Sequence, residues 1–187
     1  MELMVSVAIF AFMTAFIVSK YGNFNQGILL TNLAYDVALT IRNAQFYGLN
    51  VKSNPISGAL PNQFNYAYGV HFDKSVSNDN NKKVVFFVDI ISDGLYDSTK
   101  DGEITTSNIR KGNYVSNLCV GSPCTSVSSL DITFLRPDPN AIINANGGAT
   151  KNSYAEITLQ STDGTQRKVS VRSNGQISVC GANNICN

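Results

Sequence analysis

The chain has few of the residues that most often carry chemistry. Its 187 residues include no tryptophan and a single histidine, and only 14% of them are charged. The 14 basic and 13 acidic side chains leave a net charge of +1, so no overall field attracts nucleic acid or an anionic membrane surface. What is abundant is Asn, Ser, Thr and Gly, which is typical of a secreted or surface-displayed β-rich domain. The length allows one full hydrophobic core with an appendage.

The scarcity of reactive side chains also argues against catalysis. The one histidine, His71, has no Ser or Cys motif around it that indicates a nucleophile. It lies within the alternating series Tyr66, Tyr68, Val70 and Phe72 and is expected on the face opposite them, at the surface or rim of a sheet. Paired carboxylates occur only in one polar loop, which lacks the apolar surroundings that raise a pKa for acid catalysis. We therefore expect that the protein is not an enzyme.

Cysteine is absent from the first 118 residues and occurs four times after them, at Cys119, Cys124, Cys180 and Cys186. An even number of closely spaced cysteines predicts two disulfides in an oxidising compartment. Three pairings are possible, and we favour the local ones, Cys119–Cys124 and Cys180–Cys186. A zinc site is less favoured because the spacings lack a C-x2-C knuckle and His71 is remote in sequence.

The first twenty residues contain the longest uncharged run. No charge occurs from Leu3 to Val18, between Glu2 and Lys20. As a helix this run spans about 25 Å, a little less than the hydrocarbon core of a bilayer. A cleaved signal peptide would begin with basic residues and end at small ones, whereas the first charge here is acidic and the run is followed by Lys20-Tyr21-Gly22. A core helix of a soluble domain would have a polar face, which this run lacks. Glu2 must therefore lie just outside the apolar phase or meet a cation within it.

A single long helix is expected over residues 1–53, in two parts. Residues 1–19 are hydrophobic on all sides, and residues 28–50 are amphipathic. Between them Gly22 and Gly27 predict a soft or partly unwound joint. The amphipathic part carries an apolar stripe at three- and four-residue steps, formed by Leu30, Leu33, Val37, Ile41, Ala44 and Gly48. Its polar side is formed by Asn32, Asp36, Thr40 and Asn43.

The helix is expected to end at Gly48-Leu49-Asn50, before Pro55, and residues 54–187 are expected to form a globular β domain. Its predicted strands contain Tyr66, Tyr68, Val70 and Phe72; Lys83 to Ile90; Leu130 to Leu135; Ala155, Ile157 and Leu159; Val169 and Val171; and Ile177 and Val179. Turns are predicted at Asp163-Gly164 and Asn174-Gly175. The fold class is therefore α+β, a long N-terminal helix packed on a C-terminal antiparallel sheet.

The stretch from Glu2 to Ile9 (ELMVSVAI) resembles the N-terminus of type IV pilins and pseudopilins, whose mature chains read F-T-L-I-E-L-[LM]-V. The resemblance implies a pilin-like fold, processing by a prepilin peptidase and methylation of the new N-terminus. It also implies that Glu2 pairs with the N-terminal amine of a neighbouring subunit. The apolar residues that would lie first in lipid and then in the filament core are Leu3, Met4, Val5, Val7, Ile9, Phe10, Phe12, Phe16 and Ile17.

The rest of the chain is similar to GspH/FimT-like minor pseudopilins and minor pilins. The motifs that carry this similarity are Arg42-Asn43-Ala44-Gln45, Tyr47-Gly48, Tyr68-Gly69-Val70-His71-Phe72, Phe87-Val88-Asp89 and Ser173-Asn174-Gly175-Gln176-Ile177. The resemblance implies a structural subunit of a type IV pilus or type II secretion filament, with other subunits and an inner-membrane assembly platform as partners. The chain would be a single-pass protein of the cytoplasmic membrane with its C-terminal domain outside the cytoplasm, and later part of a periplasmic or extracellular filament. A membrane-anchored extracellular binding domain is an alternative.

A loop after the second predicted strand gathers the acids Asp89, Asp93, Asp97, Asp101 and Glu103. Carboxylates on a flexible, glycine-bearing loop suit Ca²⁺, but the spacing does not match an EF-hand. We favour a solvated acidic loop with no bound cofactor, and the resemblance keeps Ca²⁺ open because some pseudopilins hold a loop with it.

Three cations, Arg167, Lys168 and Arg172, lie on or near one predicted strand. FimT-like minor pilins bind DNA during uptake, so a DNA-binding minor pilin is a second alternative. The family's G-R-x-R motif corresponds here to Gly175-Gln176-Ile177-Ser178, without either arginine. Three cations offer few phosphate contacts, and no aromatic side chain alternates with them. DNA binding is therefore not favoured.

Overall fold

The computed structural model describes residues 2–50, 65–181 and 186, and residues 19–25 in their backbone only. Within these ranges one α-helix is followed by ten strands and one short 3-10 helix. The helix α1 is Glu2–Leu49, and the 3-10 helix is Ser77–Lys82. The strands are β1 Ala67–Asp73, β2 Lys83–Asp89, β3 Gly102–Asn108, β4 Tyr114–Val120, β5 Thr125–Val127, β6 Ser129–Phe134, β7 Ala141–Ala145, β8 Tyr154–Gln160, β9 Gln166–Arg172 and β10 Ile177–Val179. The architecture is α+β.

The helix α1 is one unbroken element of 48 residues. Its length is roughly 70 Å at about 1.5 Å per residue. The predicted joint at Gly22 and Gly27 is wrong, because the helical backbone continues through both positions. The predicted end is confirmed, because α1 ends at Leu49. The backbone N–H and the side-chain amide of Asn50 both donate to the carbonyl of Phe46 in the last turn. Pro55 and the predicted boundary between residues 53 and 54 lie outside the described ranges.

The strands form two antiparallel sheets rather than the single sheet that the sequence predicted. Sheet 1 has the order β3-β2-β1-β6-β7, and sheet 2 has the order β10-β9-β8-β4-β5. In sheet 1, Val70 of β1 lies between Phe86 of β2 and Ile132 of β6. In sheet 2, β8, β9 and β10 form the predicted meander. Both of its turns contain a glycine with positive φ, Gly164 and Gly175, as the Asp-Gly and Asn-Gly pairs predict.

The second half of α1 packs on both sheets and completes the core. The predicted buried stripe is confirmed, because Leu30, Val37 and Ile41 are almost wholly shielded from solvent and Leu33 is partly buried against them. Each such side chain contributes about 1.5–3 kcal/mol when it leaves water. The helix contacts β1 and β6 of sheet 1 and β9 and β10 of sheet 2. The β domain is thus fixed to residues 26–49, and the first third of α1 projects beyond it.

Two polar side chains of α1 fix its end to the β9–β10 hairpin. The guanidinium of Arg42 donates to the carbonyl of Ile177 at 3.3 Å. The amide of Gln45 donates to the carbonyls of Pro139 at 3.2 Å and Gly175 at 3.1 Å. These contacts hold the helix end against the turn that joins the last two strands.

Candidate functional site

The projecting first third of α1 is the most unusual surface of the molecule. Every residue from Glu2 to Val18 is exposed, including Leu3 and Phe12, each with 77% of its surface accessible. The nine apolar residues predicted to lie in the filament core are all in this group: Leu3, Met4, Val5, Val7, Ile9, Phe10, Phe12, Phe16 and Ile17. A soluble monomer rarely exposes an apolar surface of this extent. We call residues 3–18 the leading segment.

The polar atoms within the leading segment are satisfied by the helix itself. The Ser6 hydroxyl donates to the carbonyl of Glu2, and the Thr14 hydroxyl donates to the carbonyl of Phe10 at 2.9 Å. These bonds leave the hydroxyls no need of an outside partner, which suits an apolar environment. Glu2 lies at the exposed tip, and no salt bridge to it exists among the described side chains. Its predicted pairing with an N-terminal amine involves a residue outside those ranges.

None of the helices in the described part of the chain contains a stretch long and apolar enough to cross a membrane.

A second apolar surface lies on α1 and was missed by the sequence analysis. Ile28, Tyr35, Leu39 and Phe46 are exposed on the side of the helix opposite the buried stripe, with Tyr35 60% and Phe46 61% accessible. Their spacing of seven, four and seven residues places them in one line. We call these four residues the exposed stripe. The sequence analysis assigned this side to polar residues, and the seven-residue spacing was the signal that could have identified it.

The acidic loop is anchored over the outer face of sheet 1, the face turned away from α1. Asp89 at the end of β2 is 1% exposed, and its two carboxylate oxygens accept the backbone N–H groups of Ser92 and Gly94. Burial raises the pKa of the Asp89 carboxyl to about 6. The expectation that the loop is simply solvated is therefore wrong for this residue. The amide of Asn144 in β7 donates to the carbonyl of Gly94 at 2.9 Å and holds the loop from below.

The other acids of this loop also bind protein donors. Asp101 accepts the N–H groups of Ile90 and Asp97, and burial raises its pKa. Asp97 accepts the hydroxyl and N–H of Thr99 and the ammonium of Lys100, and these bonds lower its pKa to about 2. Asp93 accepts the N–H of Leu95, and Glu103 accepts the Tyr96 hydroxyl. Each of the five carboxylates thus accepts hydrogen bonds from protein groups. The structure does not bring the described carboxylates together as ligands for one cation.

Only one group of three possible metal donors lies close together in the described ranges. It consists of Cys119, Cys124 and Glu156, whose donor atoms are within 4.8 Å of one another. The two cysteines form a disulfide, as predicted, and therefore offer no thiolate. Cys180 and Cys186 form the second predicted disulfide. Both bridges close short local loops.

Two of the three predicted nucleic-acid cations are engaged by protein atoms. Lys168 forms an ion pair of 2.8 Å with Glu156 on the neighbouring strand β8. Arg167 points to the other side, where its Nε donates to the hydroxyl of Thr31 on α1 at 3.2 Å. Arg172 is exposed at the end of β9. The three cations therefore do not form one continuous basic surface.

His71 lies on the central strand of sheet 1, so the expected position at a sheet rim is wrong. Its side chain is partly exposed, and it lies on the face opposite the core residues Tyr68, Val70 and Phe72, as predicted. Its Nδ1 is 2.7 Å from a carboxylate oxygen of Asp131, the residue opposite it on β6. The ring of Tyr96 from the acidic loop packs 4.8 Å from the imidazole. An open cavity of about 410 Å³ adjoins this pair, lined by Lys83, Val85, Glu103 and Thr106 among others. Buried Asp131 could not be paired with His71 from the sequence, because 60 residues separate them.

Comparisons of the chain with models of known protein families, with curated proteins and with solved structures find no match.

Proposed function

We propose that the protein is a structural subunit of a type IV pilin-like filament, either a type IV pilus or a type II secretion pseudopilus. The observation that carries the proposal is the division of α1. Its second half is packed on two sheets, while its first third projects as a rod that is apolar and exposed on all sides. Exposure of this apolar surface to water is unfavourable for a monomer. Contact with lipid or with other apolar helices removes the surface from water and stabilises the rod.

The resemblance of residues 2–9 to pilins and pseudopilins supports the same function. It adds a pilin-like fold, a GspH/FimT-like minor subunit as the closest type, and a prepilin peptidase and an inner-membrane assembly platform as partners. Before assembly the leading segment lies in the cytoplasmic membrane with the β domain outside the cytoplasm. On assembly it leaves lipid and enters a bundle of similar helices.

Glu2 tests this function most sharply, because it is one of only two acids in α1. A lone carboxylate in an apolar bundle is tolerated only when a cation compensates it. Glu2→Gln removes the charge and leaves the apolar surface intact. We expect the variant to stay in the membrane fraction and to lose at least about 90% of its incorporation into sheared filaments, a tenfold effect.

The matched control is Asp36→Asn, which removes the other acid of α1 from an exposed position. This variant should enter filaments like the wild type. Equal incorporation of Glu2→Gln and Asp36→Asn would contradict an assembly role for Glu2. Absence of the wild type and of both variants from filaments, with all three in the membrane fraction, would favour the alternative of a membrane-anchored binding domain.

A further inference from the structure

The cavity beside the His71–Asp131 pair has no part in the proposed function. Its volume of about 410 Å³ lies within the range of small-ligand sites. Part of its floor is a row of residues that lie opposite one another on adjacent strands, namely His71, Val85 and Thr106. The helix α1 packs on the other face of this sheet, so the cavity takes no part in holding the helix.

The cavity is bounded at two ends. At one end lies the 3-10 helix with Asn80, whose amide donates to a carboxylate oxygen of Asp73 at 3.1 Å. At the other end lies the acidic loop, which contributes Tyr96 and Ser98. A site bounded in this way suits a compact ligand. An extended peptide would instead need an open sheet edge or a long groove.

The charges that line the cavity oppose one another. Asp73 and Glu103 are acids, Lys83 is a base, and His71 adds a second positive charge only when it is protonated. An anion would meet two carboxylates, and a cation would meet the ammonium group. The lining therefore favours a neutral ligand over an ion of either sign.

Metal ions and lipid chains fit this lining poorly. Among the described residues, the close group of three possible metal donors lies elsewhere, at the disulfide between Cys119 and Cys124. Val85 is the only aliphatic residue in the described lining, so an acyl chain would find little apolar surface. The lining is instead rich in hydroxyl, carboxylate, amide and ammonium groups, which together donate and accept hydrogen bonds.

We propose that this cavity binds a neutral saccharide of about one or two rings. Each hydroxyl of a sugar both donates and accepts a hydrogen bond, which matches a lining that combines carboxylates with Lys83 and Ser98. The C–H groups of the sugar ring match the small apolar floor at Val85. The inference goes beyond the proposed filament and does not depend on it.

The lining is held in position without a ligand. Glu103 accepts the hydroxyls of Tyr96 and Thr106, and Asp131 orients His71 through its Nδ1. These bonds use only part of each group, because a carboxylate can accept about four hydrogen bonds and Nε2 of the imidazole is not the atom that contacts Asp131. A site that is already ordered loses less conformational entropy when it binds.

The experiment measures binding to the full-length chain by saturation-transfer NMR and calorimetry. The probes are free glucose, galactose, mannose, N-acetylglucosamine and disaccharides of these sugars. The detergent is zwitterionic, because a maltoside or glucoside headgroup is itself a sugar and would compete. We expect saturable binding of at least one neutral saccharide. Glucuronate and glucosamine are anionic and cationic probes of matched shape and should bind more weakly.

Four variants test where the saccharide binds. Ser98→Trp fills the mouth of the cavity and should abolish binding, whereas Thr150→Trp places the same ring on an exposed loop outside the lining and should leave binding unchanged. Glu103→Gln keeps the shape of the side chain but removes a charged acceptor, and should weaken binding on the order of tenfold. Its control is Asp79→Asn, which removes an exposed carboxylate outside the lining. Melting curves of all four variants in the same detergent exclude a loss of fold.

Binding that Ser98→Trp removes and Thr150→Trp retains supports the proposal. The proposal is overturned if none of the neutral saccharides binds, or if glucuronate or glucosamine binds more tightly than all of them. Wild-type binding by a folded Ser98→Trp also overturns it. The assay uses the isolated chain, so its failure is distinct from failure of the proposed function, which recovery of the chain in filaments tests.

Discussion

At the scale of single residues, the β domain uses its buried polar groups as anchors. Asp89 binds two backbone N–H groups of the acidic loop, and Asn144 binds a carbonyl of the same loop. Asp131 holds His71, on whose ring Tyr96 of the loop packs. Buried polar groups are tolerated when they find a partner, as the carboxylates of Asp89 and Asp131 and the amide N–H of Asn144 do, although Oδ1 of Asn144 has none among the described residues. The acids of this loop therefore explain its conformation before any ligand is considered.

Asp89 predicts a specific dependence of stability on pH. Its pKa is about 6 in the folded protein against an ordinary value of 3.8 for an aspartate, so the folded state binds the proton more tightly. Its contribution to stability is full below about pH 4 and is lost as the pH rises through 6. Since a pKa difference of one corresponds to about 1.4 kcal/mol, the loss is about 3 kcal/mol. Asp89→Asn cannot ionise. Relative to the wild type, its free energy of unfolding should therefore rise by up to this amount between pH 4 and pH 8, measured with denaturant.

Asp97 provides the control, because its pKa is shifted in the opposite direction to that of Asp89. Bonds from Thr99 and Lys100 lower its pKa to about 2, so its contribution is present above pH 4 and is lost as the pH falls towards 2. Asp97→Asn should therefore differ from the wild type by a constant amount between pH 5 and pH 8. A difference between Asp89→Asn and the wild type that is equally independent of pH would disprove the burial argument.

At the scale of elements, the contact between the end of α1 and sheet 1 depends on a glycine. An added Cβ at Gly48 would collide with the backbone carbonyl of Phe134 in β6, which cannot move without breaking its ladder. Gly48→Ala should therefore lower the free energy of unfolding by about 1–3 kcal/mol, as overpacking does. Gly27→Ala is the matched control in the same helix, because nothing lies within 4 Å of its added Cβ.

Gly27→Ala should stabilise the protein by about 0.5–1 kcal/mol through helix propensity alone. Thermal or denaturant unfolding of the two variants in detergent measures the contrast. Stabilisation by both substitutions would mean that α1 does not approach β6 as closely as described.

The elements differ in how well the sequence predicted them, and the cause is physical. In β1 large apolar residues alternate with other residues, and in β2 the apolar residues are continuous. The burial of both strands was therefore visible in the sequence pattern. β3, with the sequence GEITTSN, is a mostly exposed edge strand and carries almost no apolar signal. β4, β5 and β7 were missed as well, since none of them shows strict alternation of apolar and polar residues. The joint at Gly22 and Gly27 was predicted from local propensity, which a long cooperative helix overrides.

The candidate site was predicted in the same uneven way. The absence of a polar face on the leading segment was visible in its uncharged sequence, and the close spacing of the cysteines favoured the local disulfides among three possible pairings. The exposed stripe and the contact between Arg167 and Thr31 depend on how α1 is rotated against sheet 2. Tertiary packing fixes this rotation of the helix, so it cannot be predicted from the sequence of a few neighbouring residues.

At the scale of the whole molecule, the protein is a β domain attached to the second half of a rod about 70 Å long. The domain completes its own core with residues 30–48, so the leading segment contributes no buried residue to it. A segment that stabilises nothing within its own chain must be stabilised by its surroundings. We propose that these surroundings are the leading segments and helices of neighbouring subunits.

The most direct test compares Phe10→Asp with Val76→Asp in filaments sheared from cells. Both residues are exposed apolar side chains, with 73% and 76% accessible, but only Phe10 lies in the leading segment. A carboxylate that is buried among apolar helices without a partner is strongly unfavourable. We expect the wild type and Val76→Asp to be recovered in filaments and Phe10→Asp to be absent from them. Recovery of Phe10→Asp at the wild-type level would contradict it.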